Sequence, residues 1–325
     1  MKRLDFCIVL CVIFVQNAFG LKINHLSVNR GLSQQDVETL IQDRYGFMWF
    51  GTYDGLNRYD GYRIETFRYD PDLSNTIADN RITALYESSD GKIWIGTEGS
   101  GLLFFNPATD EFGKVDHPVF KSGRCGSIFA FVEISRNRLL VGSTHGLFII
   151  PDIFSKKTDV LPLNIQNGIV SRIRYLQVET DPIVWIGTET GAYRVQISPQ
   201  NKLKVLFSDN SNRLINGVVK LSDNSYAIYG VGGIELYKHK FLINRLERTD
   251  DKILIGTTVL RIVKHEADWL IATTNNIFKW NEVNAPISFA PLNEDFFQNN
   301  TLQKILVGKG NNLWITSRNQ GVAQI

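Results

Sequence analysis

Apolar and polar residues alternate along this chain in short runs closed by Gly, Asp or Asn, the pattern of half-buried strands rather than of helices. Residues 37–42, 47–52, 56–59 and 63–69 form the first group of such runs, with Arg44-Tyr45-Gly46, Tyr53-Asp54-Gly55 and Asp60-Gly61 as the turns between them. Asp-Gly between apolar runs is a hairpin signal. A second group, 82–87, 92–97 and 101–105, has the same grammar around Asp90-Gly91 and breaks at Asn106-Pro107. Nothing in it has a helical period. Further groups cover 128–151, 173–197, 218–238, 259–280 and 302–325, and one alternating run, 23–28, precedes them all and ends at Arg30-Gly31-Leu32-Ser33.

One stretch of each group recurs. Trp49-Phe50-Gly51-Thr52 precedes Gly55, Trp94-Ile95-Gly96-Thr97 precedes Gly101, Leu140-Val141-Gly142-Ser143 precedes Gly146, and Trp185-Ile186-Gly187-Thr188 precedes Gly191. Weaker copies are Ile228-Tyr229-Gly230-Val231, Leu270-Ile271-Ala272-Thr273 and Trp314-Ile315-Thr316-Ser317. The first position falls at 49, 94, 140, 185, 228, 270 and 314, a spacing of 42 to 46 residues. That period is one four-stranded blade of a propeller. The chain is therefore expected to be all-β, a seven-bladed β-propeller of four-stranded antiparallel blades. Repeat seven stops after its third strand and 23–28 has no repeat of its own, so the N-terminal strand is expected to close the ring and cover the free edge.

Trp49, Trp94, Trp185 and Trp314 are expected to wedge between blades, since a ligand platform would not need the ring at the same place in every repeat. Gly51, Gly96, Gly142 and Gly187 would let neighbouring backbones approach, and the Thr or Ser after each would cap its turn.

The first 20 residues change the picture of where the chain works. Lys2 and Arg3, an apolar run over 6–15 and Ala18-Phe19-Gly20 read as a secretory signal peptide cleaved after Gly20, leaving 21–325 as a single propeller in the periplasm. The run is about half the ~20 residues that span a bilayer. Leu10 before Cys11 is not the small residue of a lipidation site. Cleavage would remove Lys2, Arg3 and Asp5 from 35 basic and 33 acidic residues, leaving a formal charge of +1, which argues against a nucleic-acid partner. Cys125 would be the sole remaining cysteine, read as a loop or edge thiol because no histidine is near it in sequence.

Catalytic chemistry leaves no motif here. His25, His117, His145, His239 and His265 are widely separated, with no H-E-x-x-H or Cys-x-x-Cys, so neither a metal nor a cofactor is expected. Phosphate-binding, nucleophile-elbow and EF-hand motifs are absent as well. Ser88-Ser89-Asp90-Gly91-Lys92-Ile93-Trp94 misses the Asp box of sialidase-like propellers by the residue between Asp and Gly. A pair of carboxylates brought to the ~5–9.5 Å of glycoside hydrolysis by loops stays open at this stage.

From Val37 through Leu40, Asp43, Gly46-Phe47, Trp49-Phe50-Gly51-Thr52 and Asp54-Gly55-Leu56-Asn57-Arg58-Tyr59-Asp60-Gly61, the first repeat closely resembles the two-component regulator propeller repeat. Leu26-Ser27-Val28, Gly31-Leu32-Ser33 resembles the start of sensors of that family. The likeness runs over 24–325, strongest in repeats one, two and four; repeats five and six depart from it, with Ile228 and Leu270 at the Trp position and Ala272 for Gly. It implies the periplasmic sensor region of a hybrid two-component system of the Bacteroidetes, binding an oligosaccharide and signalling to a kinase. A second propeller, a Y-shaped immunoglobulin-like domain and kinase regions of a longer receptor are the partners it implies, and it allows a homodimer. The chain itself is expected not to be an enzyme. The rival expectations are a lyase or glycosidase propeller and a protein-docking propeller.

Loops joining the second and third strands emerge on one face of a propeller and are expected to ring the channel mouth. Those turns supply Tyr53 and Asp54, Glu98 and Ser100, Thr144 and His145, Glu189 and Thr190, Thr274 and Asn275, and Arg318, Asn319 and Gln320. Tyr53 would be the aromatic platform, and the acidic turns would favour a basic or hydroxyl-rich ligand. Entry loops opposing them, such as 75–81 and 298–301, and Arg318 could reverse that preference. These turns could equally be solvated and chosen only for their geometry.

Overall fold

The structure, a computed structural model, describes residues 23–121, 126–135, 137–155, 158–163, 172–209, 211–221, 225–238, 241–245, 257–284, 286–289 and 301–325. The expected signal peptide at 1–20, Cys125, His239 and 298–300 lie outside the described residues. Seven four-stranded antiparallel sheets follow one another along the chain. Their first strands, Val37–Gln42, Ile82–Glu87, Ile128–Ile134, Ile173–Thr180, Ile215–Lys220, Val259–His265 and Leu302–Val307, face a central channel. Second strands such as Met48–Thr52, Ile93–Thr97 and Leu313–Ser317 are buried at every position. Each is covered by a neighbouring blade on both faces, which is why these stretches read as continuous apolar runs.

The repeated tryptophan faces the next blade. Trp49 packs on Phe105 of blade two with ring centroids 5.2 Å apart, Trp185 on Tyr226 of blade five at 5.2 Å, and Trp314 on Phe50 of blade one at 6.1 Å. The glycine two positions on makes room for the first residue of the next inner strand. A Cβ at Gly51, Gly96 or Gly142 would stand 2.6–2.7 Å from the Cγ2 of Ile82, Ile128 or Ile173. The hydroxyls of Thr52, Thr97, Ser143, Thr188 and Thr273 then close the turn, each donating to the carbonyl of the residue that opens the third strand or directly precedes it.

Blade five is in a different register from the one its sequence suggests. Ile215 pairs with Gly230 as Val37 pairs with Thr52, so Ala227, not Ile228, occupies the Trp position and Tyr229 the Gly position. The bulk is redistributed: Gly217 leaves the space that the Tyr229 side chain fills, and Trp280 and Phe278 of blade six complete that interface. Blade six keeps the expected register, with Leu270 and Ala272 opposite Val263 and Arg261.

Ring closure runs through Asn24–Leu26, the outermost strand of the seventh sheet, paired with Gly321–Gln324. It is shorter than the 23–28 of the sequence pattern because Val28–Arg30 turns into a 3-10 helix ended by Gly31 at φ 98°. A second departure is the single helical turn Pro118–Lys121 after blade two, where Pro118 opens the turn and Phe120 packs over Gly101.

Candidate functional site

In every blade the inner strand loses register with the second strand at the same place, between Val37 and Thr39 and at the six equivalent positions ending with Leu302 and Lys304. A bulge sets two residues against one and re-aims the extra side chain. Glu38, Thr83, Phe129, Arg174, Asn216, Leu260 and Gln303 therefore form one ring where the chain enters the blades. One step deeper stand Thr39, Tyr175, Arg261 and Lys304, lining a channel of about 830 Å³.

The ring is joined across blades. Gln303 Nε2 donates to Asp36 Oδ1 at 2.7 Å and Glu38 Oε1 at 3.3 Å, and Asn216 Nδ2 donates to the Val259 carbonyl at 2.8 Å. Burial, then the neighbouring Glu38 to which it is hydrogen-bonded, pushes the Tyr53 hydroxyl up to about 12. The Arg174 guanidinium lies 4.3 Å over Phe129, with Arg172 over the same ring at 5.5 Å. Burial and then Arg172 hold Arg174 below the usual arginine range. Gln303 Oε1 and Arg172 Nε are buried without a hydrogen-bond partner among the described residues.

The turn residues singled out from sequence are all on this face, because their backbones bond to the entry loops. Glu98 N–H donates to the Arg81 carbonyl, Thr144 N–H to Ser127, Arg318 N–H to Thr301 and Gly55 N–H to Asn80. The entry loops thus lie beside these turns and do not oppose them. None of the turn residues lines the channel. Tyr53 is 40% exposed at the rim. Asp54 pairs with Arg68 at 3.0 Å, Glu98 with Arg81 at 3.0 Å and Glu189 with Arg172 at 3.1 Å. His145 sits against Gly126, while Asn275, Arg318 and Asn319 are exposed. Sequence reasoning passed over Glu38, Arg174, Arg261, Gln303 and Lys304; the signal was a charged or amide residue one or two positions after the first apolar residue of an inner strand.

Chemically the mouth can offer hydrogen-bond donors and acceptors, an aromatic edge and positive charge. Among the described residues no group of three or more His, Cys, Asp or Glu is placed to hold a metal, and no histidine lines the channel. Lys304 is the strongly perturbed cation of the channel. Protein surrounds it although part of its surface opens to the channel, and burial, then Arg261, pull its ammonium from 10.5 down to about 8. The folded state thus releases this proton before the unfolded chain does. The full penalty applies below about pH 8, stability rises as pH climbs from 8 towards 10.5, and the penalty is gone above that. Lys304→Met is expected to gain ~1–3 kcal/mol at pH 7 and to flatten that rise, read as the difference from the native chain in denaturant midpoints between pH 7 and 10.5.

Comparison with known proteins bears on this arrangement. The family model described as "Two component regulator propeller" matches residues 31–54 and 76–99, which carry the inner and second strands of blades one and two. Histidine kinase P4 of Formosa agariphila is 44% identical over 48 residues, 15% of this chain and 4% of that protein. The structure named as the extracellular domain of hybrid two component system BT3049 from B. thetaiotaomicron superposes with a TM-score of 0.76 at 21% identity, over 93% of this chain and 41% of that one. That of BT4673 from the same organism gives 0.71 at 18%, over 93% and 42%. Virginiamycin B lyase of Staphylococcus aureus gives 0.69 at 12%, over 93% and 98%. At these identities the structural likenesses bear on the fold alone, and the chain spans about two fifths of the length of the first two. No described helix is long and apolar enough to cross a membrane. Within this seven-bladed propeller, residues 31–54 of blade one and 76–99 of blade two match the two-component regulator propeller model.

Proposed function

We propose that residues 21–325 form a periplasmic sensor propeller that follows a signal peptide at 1–20, binds glycan fragments without turning them over, and passes occupancy to a kinase region of a longer receptor. One observation carries the reading: a bulge at the same inner-strand position in all seven blades turns one side chain each to one channel mouth, polar, charged or aromatic in six blades and Leu260 in the other. Bulges that re-aim side chains concentrate beside binding sites. The sensor repeat of blades one and two supports it, as do neighbours named as extracellular domains of two-component systems. Tyr53, held by Glu38 at the rim, supplies a flat face for a sugar, and the buried Gln303 Oε1 and Arg172 Nε supply unmet hydrogen bonds.

Calorimetry against a panel of oligosaccharides, with products followed by chromatography, tests this. Binding without new products is expected. Tyr53→Ala should weaken it by ~1 kcal/mol or more, about fivefold or more in affinity. Turnover of a glycan would replace the sensor reading with an enzymatic one, and capture of a protein partner with no sugar binding would replace it with a docking role.

A further inference from the structure

The chain as a whole is nearly neutral, with 35 basic and 33 acidic residues. Its channel is not. Arg174, Lys220, Arg261, Lys264 and Lys304 line it against one carboxylate, Glu87, which Arg44 holds in an ion pair. Near the ligand face stand Arg174, Arg261 and Lys304, on blades four, six and seven, at the bulge or one residue deeper. Among the described residues none of the three side chains makes an ion pair or a hydrogen bond; Arg174 has only the Phe129 ring. They act on one another: Arg261 and Arg174 both disfavour the charged form of Lys304, and Glu38 is the acidic group that offsets them. Glu38 is itself engaged by Gln303 and Tyr53.

Like charges gathered in a confined channel cost folding free energy, and a cleft of one sign with low-dielectric walls focuses its field on whatever enters. Asp36 and Glu38, joined through the neutral Gln303 amide, offset part of this field, and the other carboxylates of the face do not add to them. Asp54, Glu98 and Glu189 are each paired with their own arginine, so the preference for a basic ligand suggested by the acidic turns is not what the folded face presents.

We propose that the ligand of this mouth is an acidic oligosaccharide, with a carboxylate or sulfate group seated among Arg174, Arg261 and Lys304 inside the channel. The inference rests on the sensor reading and narrows its ligand class. The anionic group makes charge-assisted hydrogen bonds to the three cations, while neutral parts of the chain lie over the Tyr53 rim.

The test is calorimetry on the propeller with four probes: galacturonate oligomers, chondroitin sulfate oligomers, neutral oligosaccharides of the same length, and inorganic sulfate. Acidic oligomers are expected to bind, losing about tenfold or more in affinity between 50 and 500 mM salt. Lys304→Met and Arg261→Met should each cost about tenfold or more. Arg63→Ala, on an outer strand entry where the side chain is 88% exposed, should change nothing. Both Met variants remove an unpaired charge, so circular dichroism should report an intact fold. Neutral oligomers binding with no loss in either Met variant would overturn the inference and leave the sensor reading standing. Sulfate binding as tightly as the acidic oligomers would also overturn it, making the site one for a free anion. If no sugar binds, both readings fall.

Discussion

Deleting residues 23–30 is expected to destabilise the propeller by on the order of 5 kcal/mol and to shift it towards self-association. Asn24–Leu26 is the outermost strand of blade seven, and the last strand of the chain, Gly321–Gln324, has no other partner on that side. Leu26 is 3% exposed and packs with Leu32, Phe50 and Trp314, so its loss alone opens a cavity in the junction of blades seven and one. The carbonyl of Leu26 also lies where a Cβ on Gly321 would be, 2.3 Å away, so strand and turn are fitted to each other. Without the strand, the edge N–H and C=O groups of Gly321–Gln324 are a template for another chain. Guanidinium unfolding followed by tryptophan fluorescence, with light scattering for association, measures both effects. An unchanged midpoint and a monodisperse deletion variant would show that blades one and seven hold the ring without it. Leu26→Asp leaves the strand in place and should cost about 3–5 kcal/mol, separating the buried side chain from the backbone pairing.

The architecture was legible because its structural requirements recur. A blade sandwiched on both faces needs a continuous apolar second strand, a small residue where the next inner strand presses in, and a hydroxyl to close the turn. Trp94-Ile95-Gly96-Thr97 states all three in four letters. Where one requirement is met differently the pattern misleads: Gly230 looks like the repeat glycine, yet it stands at the hydroxyl position, and the bulk of the missing tryptophan comes from Tyr229, Phe278 and Trp280. The mouth was less legible for two reasons. Bulges alter which side chains reach the channel without altering the apolar spacing, so Glu38 and Arg174 read as ordinary solvent-facing positions of a strand. Pairing between elements distant in sequence, as between Glu98 and Arg81 or Gln303 and Asp36, decides which charges remain available. The candidate turns lie on the face proposed to bind ligand, but the groups left without partners lie deeper, on the inner strands.

Trp94→Ala should cost about 3–5 kcal/mol, the largest effect expected of a single truncation in the wedge positions. Its ring is 1% exposed and joins blade two to Phe131, Leu139, Val141 and Phe148 of blade three, with Phe104 at a centroid distance of 5.5 Å. The indole Nε1 donates to Ser88 Oγ at 2.9 Å, and Ser88 is itself 1% exposed, so truncation also removes a donor from a buried hydroxyl. Neighbouring inner strands are tied around the channel and cannot collapse inward, so the cavity persists. Blade three supplies an internal control, because Leu140 fills the same position there and is fully buried. Trp94→Leu should therefore cost less than Trp94→Ala, about 1–3 kcal/mol, since a smaller apolar group is already compatible with the geometry of a blade interface. Both are read as shifts in guanidinium midpoint with the slope unchanged. A Trp94→Ala variant within 1 kcal/mol of the native chain would mean that contacts between inner strands, and not the wedges outside them, hold the blades together; equal losses in the two variants would assign the cost to the Ser88 hydrogen bond instead of to packing.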